Sequence, residues 1–177
     1  MKKILFIHGF NGSKESSTGQ SVKAGLNGKY EYIAENFDLL DVEGTLSKIQ
    51  EIIKREKIDL LCGTSFGSFY VLASDFAGEK LVINPCMKPS EEIPKLDPSF
   101  LSEVVSKLEE IESKIYTGQI RENIKGLFST SDELFGEKFI PLFKANFGEQ
   151  VFRFEGTHHG GSEKLSEAVR KIIGKIL

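Results

Sequence analysis

A doubly wound α/β sheet is the fold this sequence predicts, and two observations carry the prediction. The first is a series of short apolar runs, such as KILFIH (Lys3 to His8) and KLVIN (Lys80 to Asn84), that lack the in–out alternation of a half-exposed strand. Such runs suit parallel strands covered on both faces. The second is that helix-period segments lie between them, and parallel strands need crossovers of that kind. With 177 residues, 40% hydrophobic and 28% charged, the chain suits one compact domain, and residues 1–177 are read as a single unit. No internal repeat or low-complexity linker divides it.

Six strands are expected in chain order. They are Lys3 to His8, Tyr30 to Phe37, Ile58 to Gly63, Lys80 to Asn84, Ile124 to Thr130 and Glu149 to Gly156. A helix-like segment from Phe66 to Ala77 follows the third. Leu46, Ile49, Ile52 and Ile53 share one helical face after Glu43-Gly44. Phe100, Leu101, Val104, Val105, Leu108, Ile111 and Ile115 do the same, with Asp97-Pro98 as a natural start. The last helix carries a stripe of Leu165, Ala168, Val169, Ile172, Ile173 and Ile176, with Ser162 as its N-cap. The stretch from Pro85 to Asn123 is longer than a simple crossover needs. Its first half holds Pro85, Pro89, Pro94 and Pro98 and reads as a short irregular flap over the strand ends, without a large cap domain.

Composition excludes several function classes. A net charge of −3, with lysines scattered among glutamates, gives no basic stripe for a nucleic-acid partner. The start, MKKILFIHGFNGS, has two lysines and then only four apolar residues before His8, whereas a secretory core needs roughly seven or more. It reads as a first strand, and no run approaches the roughly eighteen apolar residues of a membrane span. Cys62 and Cys86 are too few for a disulfide framework and read as small apolar fillers of a reduced, cytoplasmic protein. HGFNGSKESSTGQS has the Gly, Ser and Lys content of a phosphate loop but not the spacing of one, and the GxGxxG pattern is absent. No cofactor is expected. His8, His158 and His159 lack acidic or thiol companions at metal-binding spacing, so no metal is expected either.

The chemistry centres on Gly63-Thr64-Ser65-Phe66-Gly67, a G-x-S-x-G with a strand before it and a helix after it. That context is the one a nucleophile elbow requires. Ser65 would sit at a strained corner, and the flanking glycines would let the turn pack closely. A serine hydroxyl needs a base, normally histidine, oriented by a carboxylate. His8 closes the first strand, which leaves His158 and His159 between the last strand and last helix. Adjacent residues of an extended loop point opposite ways, so one of the two is expected to reach Ser65. Asp132, after the penultimate strand, is the expected carboxylate; Glu133 is the fallback, and a helix N-cap is the structural alternative for Asp132.

Taken together these pieces resemble the α/β-hydrolase superfamily, and more narrowly the small bacterial YqiA-type esterases. The narrower resemblance rests on IHGFNGSK (Ile7 to Lys14), GTSFGSFY (Gly63 to Tyr70), NPCMKP (Asn84 to Pro89), YTGQ (Tyr116 to Gln119), STSDE (Ser129 to Glu133) and EGTHHG (Glu155 to Gly160). In that family the base ends a G-G-(Asn or Asp)-His run, which maps onto Gly156-Thr157-His158-His159 and so implies His159. Thr157 and His158 depart from the pattern, as do Gly160-Gly161 after it and Ser68 after the elbow. The resemblance implies a serine esterase or thioesterase with Ser65, His159 and Asp132 as its triad. His8-Gly9-Phe10 matches the family's HG turn, so backbone N–H groups of Phe10 and Phe66 would bind the oxyanion. His8, Gly9 and Met87 would line the substrate site, with Phe10, Phe66 and Met87 forming a modest acyl pocket. A small acyl ester or thioester would be the only partner the sequence names. A non-catalytic binding scaffold, or acyl transfer or peptide cleavage by the same triad, are the competing readings.

Overall fold

Successive residues of a strand point to opposite faces of its sheet, so a strand apolar at every position needs cover on both sides. The computed structural model, which describes residues 1–99 and 101–177, supplies that cover. Within those residues six strands form one sheet: β1 (Lys3–Ile7), β2 (Glu31–Ala34), β3 (Leu60–Thr64), β4 (Glu79–Ile83), β5 (Ile124–Ser131) and β6 (Val151–Thr157). Their spatial order is β2-β1-β3-β4-β5-β6 and every neighbouring pair is parallel. Leu5, Ile7, Leu61 and Val82 face one buried cluster, while Ile4, Phe6, Leu60, Cys62 and Leu81 face the other. Both cysteines are free and buried.

Among the described residues seven helices flank the sheet: α1 (Ser17–Leu26), α2 (Val42–Glu56), α3 (Phe66–Ala73), α4 (Pro89–Leu96), α5 (Ser102–Ile115), α6 (Ile140–Phe147) and α7 (Glu163–Ile176). Val22 and Leu26 of α1 join Leu165, Val169, Ile172 and Ile173 of α7 on one face. Ile49 and Ile52 of α2, Phe69 and Val71 of α3, Leu108 of α5 and Phe143 of α6 cover the other. Among the described residues no helix is long and apolar enough to cross a membrane.

All six expected strands are present, and Ser162 caps α7 by accepting from the Leu165 N–H. Three features differ. The stretch expected as an irregular flap is the helix α4, with Pro89 in its first turn, where a missing N–H has no partner to lose. Helix α3 ends at Ala73 because Ser74 turns extended and its hydroxyl binds the Val71 carbonyl. Helix α5 begins at Ser102 rather than after Asp97-Pro98; Asp97 is instead taken up by the N–H and hydroxyl of Ser99. Phe100, expected on the buried stripe of α5, lies outside the described residues.

Candidate active site

The chain leaves β1 for β2 on one side, then returns to place β3 on the other side of β1. Ligands of open α/β sheets bind beyond the strand ends beside such a reversal. His8 follows β1, Ser65 follows β3, Asp132 follows β5 and His158 follows β6. All four therefore sit at one rim.

Ser65 has φ 51° and ψ −122°, a left-handed corner that costs a side-chain-bearing residue on the order of 1–3 kcal/mol. The flanking glycines are needed by contact. A Cβ on Gly63 would lie 2.7 Å from the Gly67 carbonyl oxygen, and one on Gly67 would lie 2.2 Å from that of His8. The corner is held by the Ser65 N–H donating to the Ile83 carbonyl at 3.0 Å, and by the Cys86 N–H donating to the Ser65 carbonyl at 3.0 Å. Ser68, which departs from the family's glycine, is buried and donates its hydroxyl to the Gly63 carbonyl at 2.8 Å, closing the same turn.

The histidine that reaches Ser65 is not the one expected from the sequence. His158, not His159, meets Ser65: its Nε2 lies 3.0 Å from Ser65 Oγ, and its Nδ1 lies 2.8 Å from Asp132 Oδ2. A carboxylate only accepts, so Nδ1 donates to Asp132, and Nε2 is left as the acceptor for the serine proton. His159 is exposed, with its ring 5.0 Å from that of His158. The reason is strand parity. β6 runs through Thr157, and burial alternates along it: Phe154 in, Glu155 out, Thr157 out, His158 in. His158 continues the inward phase set by Phe154. Counting by twos from Phe154 would have found it, whereas the family spacing pointed one residue too far.

Both oxygens of Asp132 are engaged. Oδ1 accepts the backbone N–H groups of Leu134 at 2.9 Å and Phe135 at 2.7 Å, while Oδ2 accepts the imidazole. Asp132 thus makes both the capping bonds and the bond to the imidazole. Burial works against ionisation of this carboxyl, but the bonds from His158, Phe135 and Leu134 outweigh it and hold its pKa below the usual carboxylate range. Glu133 does not replace Asp132. Its carboxylate accepts the backbone N–H of His158 at 2.6 Å and of His159 at 3.2 Å, tying down the base loop. Phe135 packs edge-on against the His158 ring, with centroids 4.7 Å apart.

His8, expected as a pocket residue, is buried and committed to the backbone. Its Nε2 accepts the Phe37 N–H at 3.0 Å, which makes Nδ1 the donor to the Gly9 carbonyl, 2.9 Å away. The Gly12 N–H donates to that same carbonyl at 3.0 Å. Gly9 C=O and Phe10 N–H share one planar peptide and point opposite ways, so gripping the carbonyl fixes the direction of the N–H. Gly9 itself lies against Ser65: a Cβ there would be 3.2 Å from Ser65 Cβ. Among the described residues neither the Phe10 N–H nor the Phe66 N–H has a hydrogen-bond acceptor. The side chains expected to form an acyl pocket do not do so. Phe66 and Met87 are wholly buried in the core, leaving only Phe10 partly exposed.

Solved structures share this architecture. Est1E from Butyrivibrio proteoclasticus superposes with a TM-score of 0.75 at 15% identity, covering 98% of this chain and 87% of that one. The esterase domain of a Rhodothermus marinus protein gives 0.67 at 19%, covering 98% and 85%. A monoacylglycerol lipase from Paleococcus ferrophilus gives 0.64 at 14%, covering 98% and 93%. At such identities the likeness is one of fold, and the fold is that of the α/β hydrolases. No curated protein matches in sequence. From β1 through the loop that carries Asp132 and Glu133, residues 3–134, the chain matches the Uncharacterised protein family (UPF0227), and it belongs to that family.

Proposed function

We propose that the chain is a serine hydrolase that cleaves carboxylic esters or acyl thioesters through an acyl-enzyme. The observation that carries this reading is the unbroken hydrogen-bonded path from Ser65 Oγ through the His158 ring to Asp132. Ser65 Oγ attacks the acyl carbonyl as His158 Nε2 takes its proton. The C–O or C–S bond to the leaving group then breaks, and His158 returns the proton to the departing oxygen or sulfur. Water, deprotonated by the same nitrogen, attacks the acyl-serine; the bond from the acyl carbon to Ser65 Oγ breaks, His158 returns the proton to Oγ, and the acid leaves. Asp132 stays ionised throughout, holds the imidazole in the working tautomer and offsets its positive charge. The N–H groups of Phe10 and Phe66 receive the oxyanion, and each such donor contributes about 3 kcal/mol in comparable sites. The fold shared with an esterase domain and a monoacylglycerol lipase agrees with acyl chemistry of this class.

The test is a panel of p-nitrophenyl esters and acyl-CoA thioesters of graded length, run on wild type and Ser65→Ala. Wild type should turn over part of the panel, and the variant should lose activity on the order of 10⁶-fold. Undiminished turnover in Ser65→Ala contradicts the mechanism. A wild type inert on every member favours a binding scaffold instead.

A further inference from the structure

Asn84, immediately after β4, is 2% exposed and has φ 42°, in the left-handed region that a non-glycine residue rarely occupies. Nothing in the proposed chemistry uses it, yet both ends of its side-chain amide are engaged. Oδ1 accepts the Ser129 N–H at 2.7 Å, and Nδ2 donates to the Thr157 carbonyl at 3.2 Å. Ser129 lies on β5, three residues before Asp132; Thr157 is the residue before His158. The β5–β6 ladder is irregular at this point, with register shifting between Ser129 and Ser131. The Asn84 amide bridges the two strands just where their own pairing falters. One planar group extends β4 by a peptide-like unit and reaches across β5 to the end of β6.

We propose that Asn84 is a positioning residue, whose side-chain amide sets the spacing between the loop that carries Asp132 and the strand end that carries His158. The inference rests on the serine-hydrolase reading. The left-handed backbone is what aims the amide along the strand ends, and asparagine is among the few side chains that tolerate it. A carboxylate could keep the bond to Ser129 but would confront the Thr157 carbonyl with a second acceptor. A glycine would keep the backbone without strain and lose both bonds.

Asn84→Gly and Asn84→Asp therefore separate the amide from the backbone. The readouts are thermal unfolding, kcat and KM on an active ester, and the rate at which a fluorophosphonate labels Ser65. Both variants should fold and keep KM within about twofold, while kcat and labelling rate fall together by roughly tenfold to a hundredfold, the scale of a 1 Å misplacement. Wild-type labelling rates in both variants, with only a lowered melting temperature, overturn the inference and leave the serine-hydrolase reading intact. Failure of both to fold also overturns it, because the amide is then structural. A wild-type protein that never labels removes the reading and this inference with it.

Discussion

At the scale of single residues, one position separates His158 from His159, and the direction in which β6 leaves them decides which is engaged. The sequence makes the types legible: a serine at a Gly-flanked corner, a histidine pair before the last helix, an aspartate after the penultimate strand. The pair by itself does not settle which one faces Ser65, because two histidines in a row present the same chemistry to either face; the parity is legible only by carrying the alternation of β6 forward from Phe154. Lys80 is a second case that type alone misreads. It is 3% exposed on β4, with Nζ donating to the Ser74 carbonyl at 2.8 Å. Burial, reinforced by the nearby charge of Arg121 and opposed by Asp75, lowers its pKa to about 8. Above that pH the unfolded chain still holds a proton that the folded chain has released, so stability rises with pH. From pH 9 upward the buried thiols of Cys62 and Cys86, whose pKa values burial raises, act in the opposite direction. Urea unfolding at pH 7, 8 and 9 should thus show wild type gaining about 1 kcal/mol across the range relative to Lys80→Met. Parallel pH dependences for the two proteins would contradict a lowered Lys80.

At the scale of elements, strands and long helices were legible and short or small-faced helices were not. The apolar stripes of α2, α5 and α7 stand out at helical period. Helix α1 has almost no such stripe, since four of its six buried residues are Thr18, Gly19, Ser21 and Gly25. Its buried face is small so that it can approach α7 closely: a Cβ on Gly25 would lie 2.7 Å from the Ser166 carbonyl oxygen and 3.0 Å from Val169. Gly161, one of the departures from the family pattern, passes the start of α1 in the same way, 2.1 Å from the Ser17 carbonyl by that measure. Gly25→Ala tests the packing against propensity. Alanine favours an exposed helix by about 1 kcal/mol over glycine, whereas overpacking costs about 1–3 kcal/mol. The variant should therefore unfold at lower urea than wild type; an unchanged or higher midpoint would mean that α1 and α7 have room to part. Helix α4 was hidden by its prolines. Its start is fixed by tertiary contacts: the Ser90 N–H and hydroxyl both bind the buried carboxylate of Glu112, at 3.0 and 2.9 Å. Helix α6, eight residues opening on Ile140-Pro141, is too short to establish a period.

At the scale of the whole molecule, the order of elements along the chain was readable but their order in space was not. Periodicity says that a strand is buried, not which strand lies beside it. The reversal that sets β1 between β2 and β3, and the sequence of β4, β5 and β6 beyond, brings residues 65, 132 and 158 to one rim. Asn84 and Glu133 then fix the last two relative to each other. The most direct measurement of that convergence is fluorophosphonate labelling with mass mapping of the adduct, on wild type, His158→Ala and His159→Ala. The account predicts an adduct on Ser65 in wild type and in His159→Ala, and none in His158→Ala over the same interval. Labelling that survives the loss of His158 but vanishes with His159 would contradict it.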